Sequence, residues 1–298
     1  MFDALEAKLK NGRYVSLETT PSHSASFAPV IDTLEALGLP ERVDAFSTTD
    51  NPLAKLKYNA LFAAALMQQR FGKPVLATMS MRDRNRIALQ SDLLGANEAG
   101  VRAILALTGD PAKNSDQREA KGVFESDSTL LLDIIAAFNA GTDLEGKAFT
   151  VAPQPILPFA VVNSFARNPK SLYKKMAKKV EHGAQGIITQ PVFDLDNAKV
   201  LLELMEDANR RHGTSAQLVL GLFPITKLRT AQFLDAHVPG IHVPPSWLEA
   251  LGGAKDADDA YKIGFDLSKQ LFDDIMALHP KVHLMMANQF EVAAELLA

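Results

Sequence analysis

Arg102-Ala103-Ile104-Leu105-Ala106-Leu107-Thr108-Gly109-Asp110-Pro111 decides how this chain is read. An apolar run stops abruptly at a small hydroxyl, a glycine, a carboxylate and a proline. A continuous apolar run of this length suits a parallel strand covered on both faces. Gly109 allows close backbone approach and Pro111 ends further pairing. Asp110 then stands at the C-terminal end of a buried strand, where barrel enzymes carry out their chemistry. Read locally, capping of the next turn by Asp110 is an equal alternative.

The same grammar recurs on both sides. Strands are expected at Tyr14–Glu18, Val43–Thr48, Pro74–Ser80, Lys147–Ala152, Gln185–Gln190, Gln217–Leu222 and Val282–Met286. Helical spacing of apolar residues fills the intervals: about 53–71, 86–99, 128–138, 171–182, 196–211 and 227–236. Further helices at 244–251 and about 256–278 precede the last strand, and 288–297 closes the chain. The Pro-rich segment Pro153–Asn168 reads as a cover. Unbroken alternation of strand and helix implies parallel strands with helical crossovers. Eight such units, with no linker or composition shift, predict one (β/α)8 TIM barrel spanning residues 1–298, with extra helices before the last strand. An open doubly wound sheet is the rival, disfavoured because no Gly-rich dinucleotide fingerprint follows the first strand.

The balance of charge narrows the partners. A net charge of −4 with interspersed signs provides no basic face for nucleic acid. The absence of cysteine removes disulfides, thiolate metal sites and a cysteine nucleophile. Met1–Arg13 is charged throughout and reads as an amphipathic helix, not a signal peptide. The longest uncharged run, Ala148–Ala166, contains Pro153, Pro155 and Pro158 and makes a poor membrane helix. A cytoplasmic protein acting on a small molecule is expected, without nucleic acid or membrane, and compatible with a homo-oligomer.

In a barrel the strand C-termini ring one mouth. Glu18, Thr48, Thr78 with Ser80, Thr108 to Asp110, Gln154, Thr189 with Gln190, and Pro224 are expected there. Such a set of amides and hydroxyls suits a polar heterocycle. Glu18 and Asp110 stand out because each ends an apolar strand. Two acids in unlike surroundings can divide into a proton donor and an anion. The seven histidines show no metal-ligand spacing, so no metal is expected; His283 could face either way, and packing is its default role. No nucleophile elbow and no phosphate loop occur. Lys170, Lys174, Lys175, Lys178 and Lys179 read mainly as a solvated helix face.

Leu107-Thr108-Gly109-Asp110-Pro111, Met81-Arg82-Asp83-Arg84-Asn85-Arg86, Lys179-Val180-Glu181-His182-Gly183-Ala184 with Ile188-Thr189-Gln190, and Gly221-Leu222-Phe223-Pro224-Ile225 occur in a set together. Combined, they resemble the methylenetetrahydrofolate reductase family. The resemblance implies flavin adenine dinucleotide (FAD) at the strand C-termini. It implies reduction of 5,10-methylenetetrahydrofolate to 5-methyltetrahydrofolate, with NADH or NADPH as hydride source. By match to the family, Glu18 takes the role of general acid and Asp110 lies near flavin and pterin. Gln190 and Gln289 contact the folate. Thr48, Thr78, Ser80, Arg82, Thr108, Gly109 and Lys179 line the flavin site, Arg82 and Lys179 facing the diphosphate. The chain departs from the family pattern in three places: Thr19-Thr20-Pro21-Ser22 replaces aromatics, Pro153–Pro158 replaces a Tyr- and His-containing segment, and Gln289 replaces an arginine. Two alternatives accompany this reading, a flavin-free reductase with direct hydride transfer and a non-catalytic barrel that binds folate or a partner.

Overall fold

A computed structural model describes residues 1–298. Helix α1 (Phe2–Asn11) leads into β1 (Tyr14–Thr19), followed by α2 (Ala28–Ala36), β2 (Ala45–Thr48), α3 (Ala60–Phe71), β3 (Val75–Ser80) and α4 (Arg86–Glu98). Next come β4 (Ala103–Leu107), α5 (Ser128–Asn139), β5 (Leu157–Val162), α6 (Pro169–Glu181), β6 (Gly186–Pro191), α7 (Leu195–His212) and β7 (Gln217–Leu222). Then α8 (Leu228–His237), α9 (Pro245–Gly252) and α10 (Ala257–Leu278) precede β8 (Lys281–Leu284) and α11 (Phe290–Leu296). The eight strands pair in chain order, and β8 pairs in parallel with β1 to close the barrel. The expected (β/α)8 architecture is therefore present, and α9 and α10 are the further helices expected before the last strand.

Strand alternation sorts the core into two layers. Val15, Leu17, Phe46, Ala77 and Met79 point outward and join the helix-covered core. Tyr14, Ala45, Leu76, Ala103, Leu157 and Phe159 point inward, where Leu5 and Leu9 of α1 join them. Helix α1 thus plugs the N-terminal end of the barrel.

Two expectations are corrected. Lys147–Ala152 is not the fifth strand; apart from an isolated bridge between Thr142 and Ala148 it carries no sheet pairing. The strand lies in the Pro-rich stretch, where Leu157, Phe159 and Val161 supply the inward face. Pro158 is tolerated because it sits at the first rung: Leu157 N donates to Arg102 O at 2.7 Å and Pro158 O accepts from Gln185 N at 2.9 Å. Gln154, expected at the mouth, consequently precedes β5 at the opposite end, where its backbone bonds the Asn97 side chain. The helix expected from residue 53 starts at Ala60 instead. Asn59 caps it by accepting from Leu61 N and Phe62 N, and residues 51–58 form a separate loop.

Candidate active site

The strand C-termini enclose a cavity of about 260 Å³ whose wall includes Glu18, Thr49, Asp50, Thr78, Ser80, Arg82, Gly109, Asp110, Gln190 and His283. A groove of about 290 Å³ at the other end, lined by Glu6, Lys10 and Thr214, receives no strand C-terminus. The mouth, where other barrels place their chemistry, is therefore the candidate site.

Glu18 is the last inward residue of β1. Its Oε2 lies 3.9 Å from Nε2 of His283, and His283 Nδ1 shares a hydrogen bond of 2.8 Å with Ser16 Oγ. Ser16, Glu18 and His283 share the inward face because β1 and β8 pair with Ser16 opposite His283. The loop beyond β1 is tied to the loop beyond β8. Asn288 accepts from Thr20 N at 2.8 Å through Oδ1 and donates to Thr20 O at 2.7 Å through Nδ2.

Asp110 follows Gly109, whose φ of +93° favours glycine; a Cβ there would lie 3.0 Å from Arg82 Cβ and 3.1 Å from Ser80 Cβ. Asp110 Oδ2 accepts from Leu53 N at 2.7 Å. Arg82 lines the wall, but its guanidinium is held by Asp83 in a two-pronged pair at 2.7 and 2.6 Å. The hydrogen bonds it donates to Asp83 hold its pKa above the usual arginine value against the opposing effect of burial, with Asp50 and Asp110 adding to the rise.

Behind this wall lies a buried ion-pair chain. Asp50 Oδ2 accepts from Ser80 N at 2.9 Å and from Arg84 Nη1 at 2.6 Å, and Arg84 Nε donates to Asp92 at 2.8 Å. Burial acts to lower the Arg84 pKa; Asp50 and Asp92 outweigh it, and the net direction is upward. Two hydroxyls at the cavity, Thr49 Oγ1 and Ser80 Oγ, are buried and have no hydrogen-bond partner.

Glu18, Asp110, Thr78, Ser80, Arg82, Gly109 and Gln190 are thus brought together. Four expected site residues stand elsewhere. Thr48 points outward, as Phe46 does, and its hydroxyl donates to Ala60 O at 3.0 Å. Thr108 is exposed and accepts from Ser128 N at 3.2 Å at the start of α5. Lys179 on α6 bonds Ser128 Oγ, and burial pushes its pKa down. Gln289 is exposed at the start of α11.

Thr49, Asp50 and His283 belong to the wall and were not singled out from sequence. The signal for Asp50 was present: Thr49-Asp50-Asn51-Pro52 ends β2 much as Thr108-Gly109-Asp110-Pro111 ends β4.

A family model described as methylenetetrahydrofolate reductase matches residues 6–298. "Methylenetetrahydrofolate reductase 2" of Schizosaccharomyces pombe is 25% identical over 242 residues, covering 77% of this chain and 36% of that protein. "Methylenetetrahydrofolate reductase 1" of the same organism is 26% identical over 178 residues, 58% of this chain and 26% of that protein. The chain therefore spans about a third or less of the length of these relatives. Among solved structures, an uncharacterized Clostridium thermocellum protein that binds two copies of 5-methyl-5,6,7,8-tetrahydrofolic acid superposes with a TM-score of 0.63 at 12% identity, covering 98% of this chain and 97% of that one. DmoA from Hyphomicrobium sulfonivorans gives 0.56 at 9% identity over 96% and 86% of the two chains. At such identities both likenesses establish the fold alone.

Proposed function

This chain belongs to the methylenetetrahydrofolate reductase family, and from that premise we propose that the barrel mouth reduces 5,10-methylenetetrahydrofolate to 5-methyltetrahydrofolate. Hydride comes from NADH or NADPH by way of bound FAD. The observation that carries this reading is the convergence of Glu18, Asp110 and Gln190, from β1, β4 and β6, on one cavity.

The five-membered ring of the substrate must open to a 5-iminium cation, and N10 must gain a proton. Glu18, half-buried and facing the cavity, donates that proton. Asp110 has one oxygen on Leu53 N and leaves the other without a partner in the chain, so that oxygen is free to face the developing cation. At about 4 Å and an effective dielectric near 20, such a pair is worth about 4 kcal/mol. Gln190 supplies an amide donor and acceptor for the pterin edge.

The wall supports a flavin ring. The unpartnered hydroxyls of Thr49 and Ser80 suit ring oxygens and nitrogens, and Gly109 leaves the space that a Cβ would fill. When bound, a flavin supplies a two-electron hydride carrier. Thr49, Thr78, Ser80 and Gly109 would hold its ring. A different reading, direct transfer from the nicotinamide without flavin, is favoured by one observation: no Phe, Tyr or Trp lines the cavity for ring stacking.

The test is methylenetetrahydrofolate-dependent oxidation of NADH or NADPH by purified protein, with absorbance near 450 nm recorded on the same sample. Turnover with a yellow protein supports the first reading and turnover with a colourless one the second. No turnover with either nicotinamide overturns both.

A further inference from the structure

We propose that Asp50 determines which ring the cavity accepts, its Oδ1 taking the N–H of a cyclic imide such as the uracil-like edge of a flavin. This rests on the flavin reading above and adds a residue to it. The side chain of Asp50 is 2% exposed and belongs to the cavity wall. Its two oxygens have unlike surroundings. Oδ2 is fully used by Ser80 N and Arg84 Nη1, whereas no hydrogen bond within the chain reaches Oδ1. Arg84 is itself pinned on its other side by Asp92, so the carboxylate is fixed in rotation and has its countercharge behind it.

Asp50 shares the wall with two hydroxyls, Thr49 and Ser80, and with Arg82, whose guanidinium is held by Asp83. Ser80 is 1% exposed, and neither its Oγ nor Thr49 Oγ1 has a partner. Buried hydroxyls without partners are costly unless something pairs with them. The wall therefore offers one ionised acceptor and two donors. A cyclic imide presents the complement, one N–H between two carbonyl oxygens. The aminopyrimidinone edge of a pterin presents two adjacent N–H donors instead, and these call for two free carboxylate oxygens. Asp50 has only one to give, because Arg84 and the Ser80 amide occupy the other. On this count Asp50 selects the imide, and the pterin is left to Gln190.

The test is binding, with no turnover. Affinity of the purified protein for FAD and for N3-methyl-FAD is measured by quenching of flavin fluorescence. Methylation removes the one N–H that Asp50 is proposed to accept, and a hydrogen bond to a charged group supports a loss of about 10-fold or more. The Asp50→Asn variant should bind FAD more weakly and narrow the difference between the two flavins to less than about threefold. Because that variant also unpairs Arg84, the comparison of the two flavins on unsubstituted protein stands without it. Equal affinity for both on unsubstituted protein overturns the role of Asp50 and leaves the flavin reading intact. A preference for FAD that persists undiminished in folded Asp50→Asn overturns it too. Failure to bind either flavin overturns both.

Discussion

Removal of the Asp110 carboxylate, in Asp110→Ala, is expected to loosen one loop before anything else. Asn51, Leu53 and Ala54 have φ of 44°, 56° and 58°, in the left-handed region. For residues bearing a Cβ this costs roughly 1–2 kcal/mol each, less for asparagine, so the loop holds about 3–5 kcal/mol of strain. Side-chain acceptors oppose its release, with Leu53 N on Asp110 at 2.7 Å, Leu56 N on Asp116 at 3.1 Å and Lys57 N on Asn51 at 2.8 Å, as do two backbone bonds, Lys55 N to Pro52 O at 3.2 Å and Tyr58 N to Ser22 O at 2.9 Å. Loss of the Asp110 bond removes a restraint of about 1.5–3 kcal/mol from a loop that already holds strain, and so favours its opening. At 1.4 kcal/mol per factor of ten, opening becomes about 10- to 100-fold more frequent. Hydrogen exchange followed by mass spectrometry reads this in a peptide covering residues 50–58, with the barrel strands as an internal control. Exchange in that peptide within twofold of the unsubstituted protein would refute the reasoning. Because Pro52 also lines the cavity, opening of the loop alters the wall beside Asp110.

Three further outcomes are expected. Glu18→Gln should lower turnover about 100-fold or more while flavin stays bound, as for loss of a general acid; unchanged turnover removes Glu18 from the reaction. Gly109→Ala must adopt a φ of +93°, at roughly 1–2 kcal/mol and therefore a Tm lower by about 2–8 °C; an unchanged melting curve contradicts the tight fit against Ser80 and Arg82. Burial holds the Lys179 pKa below 10.5, so between the depressed value and 10.5 the unfolded chain binds more protons than the folded one, and stability rises with pH there. Relative to Lys179→Met, the unsubstituted protein should gain Tm from pH 7 to pH 10, and a constant difference would contradict this.

The barrel was legible because its signal is repeated. Each strand ends in polar or turn-forming residues and each helix begins afterwards. The fifth strand was not legible, because Pro158 argues against a strand unless its place at the first rung is known. Parity explains the misplacement of Thr48. Neighbouring residues of a strand face opposite sides, and sequence does not reveal which of Thr48 and Thr49 points inward. Asp50 and His283 escaped for another reason. Their partners are distant in sequence: Ser16 meets His283 because β1 pairs with its neighbour β8, and Arg84 meets Asp50 because the loops after the neighbouring strands β3 and β2 lie side by side. Lys179 was matched by motif, but its bond to Ser128 depends on the packing of α6 against α5.

The plug formed by Leu5 and Leu9 leaves the barrel with one door. The hollow behind it is about 260 Å³, just below the roughly 300–1,000 Å³ of common small-ligand pockets. If the mouth carries the reaction proposed above, reductant and pterin pass the same threshold, and a resident carrier would let them visit in turn. Double-reciprocal plots at several fixed concentrations of the second reactant then run parallel. Intersecting lines would mean that both reactants stand in the doorway together, as a protein without a resident carrier requires.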